Sequence, residues 1–211
     1  MNEPLKDSKL LGFLYISGLA LLILSGVEPN DRLTWVLEVF PVAVAAVVLP
    51  ATYKRFPFSG LAYLLIWVHA SILILGGHWT YAEMPLFNWI RDAFHLARNY
   101  YDRVGHFAQG FVPAILAREI LLRTSPLRRG KWLFFITISI CLAISALYEL
   151  LEWGAAITIG ESAEQFLATQ GDVWDTQWDM FLAGCGAMAA LILLSRLHDR
   201  SLAKLGGAHR K

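Results

Sequence analysis

The fold of this 211-residue chain is decided by three polar stretches, YDRVGHFAQGF (Tyr101–Phe111), YELLEWG (Tyr148–Gly154) and GDVWDTQWDM (Gly171–Met180). Each stretch lies at the end of an apolar run that is long enough to cross a lipid bilayer. Ionisable groups in such a position are costly unless they are paired, hydrated or bound to a metal ion. The three stretches therefore indicate a membrane protein whose polar residues serve a function.

The composition around these stretches is that of an integral membrane protein. Hydrophobic residues make up 56% of the chain and charged residues 17%, and the mean hydropathy is +0.49. The net charge of +1 gives no basic surface for nucleic acid, so no nucleic-acid partner is expected. Cys141 and Cys185 both lie within apolar runs and lack the spacing of a disulfide or metal motif, which predicts small buried side chains.

A window of about 19 residues finds six apolar segments, and we predict an all-α bundle of six transmembrane helices in one domain. The predicted spans are residues 10–27, 33–52, 59–77, 103–123, 131–153 and 178–197. The first segment follows Lys6 and Lys9, so a cleaved signal peptide is the alternative there. Its spanning length and the lack of a clean cleavage motif favour an uncleaved helix.

Basic residues predict how the bundle is oriented. Lys and Arg gather at alternate ends of the six segments, at Lys6, Lys9, Lys54, Arg55, Arg123, Arg128, Arg129, Lys131, Arg196, Arg200, Lys204, Arg210 and Lys211. Cytoplasmic loops carry an excess of Lys and Arg, so this pattern predicts that both termini lie in the cytoplasm.

The outer loop between spans three and four contains a further helical pattern. Pro85 is a plausible first helical residue, and apolar residues recur after it at helical spacing, at Leu86, Trp89, Ile90, Ala93, Phe94 and Ala97. This pattern predicts an interfacial helix on the outer leaflet. The alternative is an amphipathic helix packed over the mouth of the bundle.

The predicted topology brings distant polar residues to one depth, at the outer ends of the spans. Spacings of three or four residues place both members of a pair on one helical face, as for Asp102 and His106, Glu149 and Glu152, and Asp175 and Asp179. Glu38 lies in the outer half of span two and His78 at the outer end of span three. We therefore expect a polar chamber that opens to the outside.

Carboxylates at one depth repel one another unless positive charge is present. Arg103, protonation or a divalent cation can provide it, and carboxylate and imidazole groups are usual metal ligands. We predict a metal set of Asp102, Glu152, Asp175 and Asp179 and a catalytic set of His106, Glu149 and Asp175. The alternative is that these charged residues are simply hydrated at the membrane interface and have no chemical role. The sequence contains neither of the metal-binding motifs HExxH and CxxC.

The stretches GGHWTYAEMPLF, RNYYDRVGHFAQGFVPAILARE, YELLEW and GDVWDTQWDM resemble the YjdF-type inner-membrane proteins of bacteria. The resemblance covers essentially the whole chain and implies a multi-pass protein without an established activity. The chain is more distantly similar to VanZ-like membrane proteins, whose Asp-basic-x-x-His motif is matched by Asp102, Arg103 and His106. Glu149 and Asp175 match later acidic positions of that group, whereas Asp179 stands where an Asn is expected.

Three functional hypotheses follow. The first is an enzyme, with or without a divalent metal cation, that acts on membrane lipids or a lipid-linked envelope precursor. The second is a non-catalytic binding or assembly protein, and the third is an ion-coupled transporter. The inner halves of the spans show no matching ionisable cluster and the chain has no inverted repeats, which argues against the transporter.

His69, alone among apolar residues, is interpreted as a hydrogen-bonded packing residue. The sequence gives no indication of oligomeric state.

Overall fold

The computed structural model describes residues 3–159 and 164–208, and in this part the chain is helical. The α-helices are α1 (Glu3–Ser25), α2 (Arg32–Thr52), α3 (Gly60–Trp79), α4 (Pro85–Phe94), α5 (Tyr101–Thr124), α6 (Lys131–Ile159), α7 (Glu164–Leu167) and α8 (Asp175–Ala208). A short 3₁₀ helix, Tyr81–Glu83, connects α3 to α4. The all-α class predicted from the apolar segments is therefore confirmed.

The six predicted segments coincide with the six long helices, α1, α2, α3, α5, α6 and α8, but most of the helices extend further. The largest difference is at α8, which continues to Ala208 although its predicted apolar segment ends at residue 197. An apolar window cannot detect the polar continuation of a helix. Four helices, α2, α3, α6 and α8, are long and apolar enough to cross a membrane. The apolar part of α1, Lys9–Ser25, is shorter.

Local sequence signals explain where two of the central helices begin. The Asp31 carboxylate caps α2 by accepting a hydrogen bond of 2.7 Å from the Thr34 backbone N–H. The Ser59 hydroxyl caps α3 by accepting from the Ala62 N–H at 3.4 Å. Both caps satisfy N–H groups that have no partner within the helix.

The closest helix pair is α5 and α8, which run in the same direction. A Cβ atom on Gly110 of α5 would overlap the backbone of Ala183, and one on Gly186 of α8 would overlap the Phe107 carbonyl group. Glycine at these positions lets the two backbones touch, as expected for close packing in membranes. An apolar core lies below this contact and contains Ala114, Ile115, Cys141, Ala187, Ala190 and Leu191. The pairing brings the first turns of α5 and α8 together.

Tyr81 connects α3 to the start of α5. Its ring lies against Gly76 and Gly105, where a Cβ atom would overlap the ring. Thr80 just before it has a φ of 56°, a left-handed conformation that is uncommon for a residue other than glycine. The tight turn and the two glycines together place the Tyr81 hydroxyl group inside the bundle, where the side chain is buried.

Candidate functional site

A cluster of buried acidic residues lies where α5 and α8 begin; we call this the acidic end of the bundle. The helices α2, α5, α6 and α8 contribute its titratable members. Their exposed fractions are between 2% and 8%, for Glu38, Asp102, His106, Glu149, Glu152, Asp175 and Asp179. Arg103 binds Asp175 and Asp179 of this cluster, so the structure brings together eight of the nine residues that the sequence proposes for a site, and their chemical roles stay predictions.

His106 is at the centre of the cluster. Its Nε2 atom lies 3.4 Å from Asp102 Oδ1 and 3.8 Å from Asp179 Oδ1. Its Nδ1 atom lies 3.1 Å from Gln109 Oε1 and 3.9 Å from Glu149 Oε1. The imidazole therefore contacts acceptors from α5, α6 and α8, and it is positioned to hold or transfer a proton between them.

Two arginines provide positive charge beside the cluster. Arg98 donates to Asp175 Oδ1 from Nη1 at 2.7 Å, and Arg103 donates to the same oxygen from Nη2 at 2.7 Å. Arg103 also donates to Asp179 and, at 3.0 Å, to Asp172 Oδ2. Arg98 was not recognised from the sequence, although it stands four residues before Asp102. Because both arginines bind Asp175, this carboxylate is already neutralised inside the protein.

A cavity of about 230 Å³ opens beside His106, between α2, α3, α5 and α6. Its polar wall residues are Glu38, His69, Tyr81, Asp102, His106, Gln109, Tyr148 and Glu152. The Tyr148 hydroxyl group donates to Glu38 Oε2 at 3.3 Å. Burial raises the pKa of the Tyr81 phenol well above its usual value, so this hydroxyl group stays a donor at neutral pH. No Lys or Arg is among the described wall residues.

Several polar atoms at this site have no hydrogen-bond partner within residues 3–159 and 164–208. They include Asp102 Oδ2, Glu149 Oε1 and His69 Nε2. Buried polar atoms are nearly always paired, so unpaired ones at a cavity indicate water or a ligand. The apolar neighbours of His69 predict a hydrogen-bonded packing residue. In the structure its Nε2 atom has no hydrogen-bond partner among the described residues, and His69 lies in the cavity wall.

The side chains best placed for a metal ion are Asp102, His106 and Asp179, whose potential ligand atoms all lie within 4.8 Å of one another. This group shares Asp102 and Asp179 with the predicted metal set. Glu152 and Asp175 do not belong to it. Sequence spacing identifies which residues share a helical face, but the distances between faces on different helices require the tertiary structure.

His78 lies apart from the cavity. Its Nδ1 atom is 2.8 Å from the carbonyl oxygen of Ser25 at the end of α1, and it is not among the wall residues. The remaining cavity residues that the sequence did not propose for the site, Tyr81, Gln109 and Tyr148, are neutral. A search for charged residues could not find them, but each lies within the quoted motifs or the stretch between them.

A second buried ionic cluster lies at the opposite end of the bundle, and it corrects the expectation that this end has none. Glu119 and His198 are both 0% exposed, and Glu119 Oε2 lies 3.0 Å from His198 Nε2. Glu119 Oε1 accepts hydrogen bonds of 2.8 Å from the Ser59 N–H and from Arg123. Arg118 lies 2.7 Å from His198 Nδ1, so this nitrogen accepts because a guanidinium group can only donate. The apolar core containing Ala114 separates the two clusters.

Residues 10–200 match the protein family described as "Predicted membrane protein (DUF2238)". The chain belongs to the DUF2238 family. Another comparison finds the inner membrane protein YjdF of Escherichia coli (strain K12), to which the chain is 48% identical over 186 residues. The alignment covers 88% of this chain and 89% of the relative. No solved structure matches.

These findings confirm the YjdF-type resemblance. The DUF2238 assignment, the inner-membrane relative and the apolar helices together support a membrane location for the chain. They assign no activity, and the similarity to VanZ-like proteins stays a prediction.

Proposed function

We propose that this DUF2238 protein acts on the polar headgroup of a lipid or lipid-linked envelope precursor at the outer leaflet of the inner membrane. The observation that carries the proposal is the cavity of about 230 Å³ with Asp102 and His106 in its wall. Asp102, which is 5% exposed, accepts no hydrogen bond at Oδ2, although Arg98 and Arg103 lie 3.7 and 3.6 Å from this oxygen. A ligand that donates hydrogen bonds would satisfy this oxygen.

In the proposed topology, α1, α2, α3, α5, α6 and α8 all cross the membrane and both termini are cytoplasmic. The acidic end then faces outward, because the opposite end carries the basic residues that are typical of cytoplasmic loops. These are Lys54, Arg55, Arg123 and Lys131. Helix α4 supports an interfacial position, since Leu86, Trp89 and Phe94 are exposed apolar residues next to the charged Arg91 and Asp92.

The wall chemistry limits the ligand. Glu38, Asp102 and Glu152 provide carboxyl groups to the wall, and no described Lys or Arg lines it. Arg98 and Arg103 pair with Asp102 from outside the wall, at 3.7 and 3.6 Å. A headgroup with hydroxyl or ammonium groups is therefore favoured there. A free phosphate group would be repelled unless a cation accompanied it.

His106 is the residue best placed to transfer a proton to or from this ligand. Asp102 lies 3.4 Å from its Nε2 atom and Gln109 lies 3.1 Å from its Nδ1 atom, and together they orient the ring. A histidine held in this way can act as a general acid or base toward a bound ligand. Glu149, 3.9 Å from Nδ1, is the next carboxyl group available to exchange the proton.

A divalent cation fits the residues at the edge of the cavity. Asp102, His106 and Asp179 would hold it, because two carboxylates and an imidazole are usual ligands of such ions. The short mutual distance of these ligand atoms, at most 4.8 Å, supports this assignment. When bound, the ion would provide Lewis acidity toward the ligand and lower the pKa of a coordinated water molecule.

The two arginines favour a second candidate function, a non-catalytic binding or assembly protein. Arg98 and Arg103 neutralise Asp175, and Arg103 also binds Asp179. A guanidinium group in this position takes the place that a cation would otherwise occupy. In this alternative the cluster holds α5 and α8 together and the cavity takes a headgroup without changing it.

Metal content and lipid turnover distinguish the two candidates. The full-length protein, Asp102→Asn, Asp179→Asn and the control Asp92→Asn are purified in detergent and their metal content is measured by mass spectrometry. Asp92 is a fair control because it is an exposed carboxylate in an ion pair with Arg91. We expect near-stoichiometric metal in the parent and the control, and loss of metal in the two site variants.

The second measurement uses the protein reconstituted with a bacterial inner-membrane lipid extract, followed by lipid mass spectrometry. We expect a change in headgroup composition that His106→Gln abolishes and Asp92→Asn preserves. If the folded parent contains no metal and changes no lipid, the non-catalytic candidate replaces the enzyme.

A further inference from the structure

A second cavity, of about 350 Å³, lies between α1, α2 and α3. It shares no wall residue with the acidic cavity, which is lined by α2, α3, α5 and α6. Gly12 and Gly18 of α1, Ala46 of α2, and Ile66 and Trp67 of α3 are among its wall residues. The use of small residues on α1 leaves open space where larger side chains would close the gap.

The wall presents almost only carbon to the cavity, because its polar side-chain atoms are engaged elsewhere. The Tyr15 hydroxyl group donates to the Ala46 carbonyl oxygen at 3.0 Å. The Trp67 indole N–H donates to Ser17 Oγ at 3.0 Å. The Tyr63 hydroxyl group accepts from the Phe58 N–H at 3.3 Å. A polar ligand would find few partners, so the cavity selects an apolar one.

The position of the cavity along the helices identifies the source of an apolar ligand. Its wall residues from α2 lie between Val42 and Tyr53, and those from α3 between Tyr63 and Ala70. Both helices are long and apolar enough to cross a membrane, and these residues occupy the halves nearest to their connecting loop. In a bilayer, the molecules that reach this depth are lipid acyl chains. A volume of about 350 Å³ is near the lower limit for ligand pockets, about 300 Å³, and suits part of one chain.

Basic residues at the loop end of the cavity indicate the headgroup. Lys54 and Arg55 follow the wall residue Tyr53 directly and are exposed. Lys9 is also exposed and precedes the wall residue Leu11 by two positions on α1. Basic residues near a membrane surface attract the phosphate groups of anionic lipids.

We propose that this cavity is a lipid-binding site that takes one acyl chain of an anionic phospholipid, with the phosphate group beside Lys9, Lys54 and Arg55. The chain fills the space between α1 and the α2–α3 pair. The site is independent of the proposed headgroup chemistry at the acidic end, because the two cavities have no residue in common.

Native mass spectrometry of the purified full-length protein tests the site directly. Phosphatidylglycerol or phosphatidylcholine with identical acyl chains is added in detergent, and bound lipid is counted. The parent is expected to retain one phosphatidylglycerol molecule. Gly12→Phe fills the cavity, since a Cβ atom there meets no atom within 4 Å. We expect it to lose more than about tenfold in affinity, because the phenyl ring occupies the space in which methylene groups of the acyl chain would be buried.

Gly154→Phe on α6 is the matched control, because a Cβ atom there also meets nothing within 4 Å and Gly154 lines neither cavity. It is expected to bind lipid as the parent does. Lys54→Gln/Arg55→Gln is expected to keep phosphatidylcholine binding but to reduce the preference for phosphatidylglycerol by about tenfold. Equal binding of the two lipids by the parent would overturn the anionic headgroup.

A photo-reactive diazirine near the end of the phosphatidylglycerol acyl chain gives a test that needs no variant. Cross-links to wall residues of α1, α2 and α3 would support the site. Cross-links confined to other helices, or unchanged lipid retention in a folded Gly12→Phe protein, would overturn it.

Discussion

Arg103 donates a hydrogen bond of 2.7 Å to Asp175 although the two residues lie 72 positions apart in the chain. The bond connects the first turn of α5 to the first turn of α8. The side chains of Arg103 and Asp175 are 11% and 9% exposed, so the pair is largely removed from solvent. A pair in that environment matters most when one partner is removed, because the other charge is then left buried and uncompensated.

Arg103→Gln is therefore expected to destabilise the protein by about 3–5 kcal/mol, since it leaves the carboxylates of Asp175 and Asp179 with less positive charge. The measurement is the thermal unfolding midpoint of the detergent-purified protein. Asp175→Asn in the same background should recover part of the loss, because it removes one of the stranded charges. An unchanged midpoint in Arg103→Gln would mean that the pair contributes nothing to the fold.

The cluster at the opposite end predicts a comparable loss of stability without an effect on the candidate site. Glu119→Gln removes the buried charge that pairs with Arg123 and accepts a hydrogen bond from the neutral His198, and about 3 kcal/mol of stability is expected to be lost. Metal content and lipid turnover per folded molecule should stay at the parental level. Asp92→Asn is a suitable comparison, because its ion pair with Arg91 is exposed and its loss should cost about 1 kcal/mol or less.

The contact between α5 and α8 predicts opposite effects for two Gly→Ala substitutions. Gly110→Ala places a methyl group against the Ala183 backbone and is expected to destabilise the protein by at least about 1–3 kcal/mol. Gly154→Ala has open space and is expected to stabilise α6 by up to about 1 kcal/mol. Chemical unfolding of both variants in the same detergent makes the comparison. Equal effects would contradict the close approach of α5 and α8.

His69 provides a test that separates stability from function. Its Nε2 atom lacks a hydrogen-bond partner in the described part of the chain, and the residue lines the cavity between α2, α3, α5 and α6. His69→Leu removes this unpaired group, and an increase in stability of about 1 kcal/mol is expected. Lipid turnover or headgroup binding should fall in the same variant. A destabilised His69→Leu protein would instead indicate that His69 is hydrogen-bonded in the membrane.

The proposed topology is tested by labelling single cysteines with a membrane-impermeant maleimide. In a Cys141→Ser/Cys185→Ser background, Asp92→Cys on α4 should react in intact spheroplasts, because the exposed Asp92 position faces outward in the proposed orientation. Lys54→Cys between α2 and α3 should react only after the membrane is permeabilised. The reverse pattern would invert the topology and move the candidate site to the cytoplasmic side.

The sequence predicted the long helices well because each contains an apolar run that a sliding hydropathy window detects. The ends of the helices were harder to predict. The continuation of α8 to Ala208, for example, is polar and gives no hydropathy signal. Helical spacing correctly paired Asp102 with His106 and Asp175 with Asp179 on their own faces. Spacing within one helix carries no information about which face of another helix lies opposite.

The opposite cluster shows the same limit. Glu119 and His198 are separated by 79 residues, and each one alone has the sequence context of a residue near the end of a span. Their pairing depends on the parallel packing of α5 and α8, which in turn depends on the contacts at Gly110 and Gly186. No local pattern in the sequence encodes that register.

The sequence by itself determined the all-α class, the positions of the long helices and the polar residues gathered at one end, because hydropathy and helical spacing are local properties. Only the tertiary structure decided that Arg98 and Arg103 share Asp175, that Asp102, His106 and Asp179 form the tightest group, and that His78 lies apart. The physical reason is that charge balance and cavity shape depend on distances between helices. Those distances are set by side-chain packing across contacts distant in sequence.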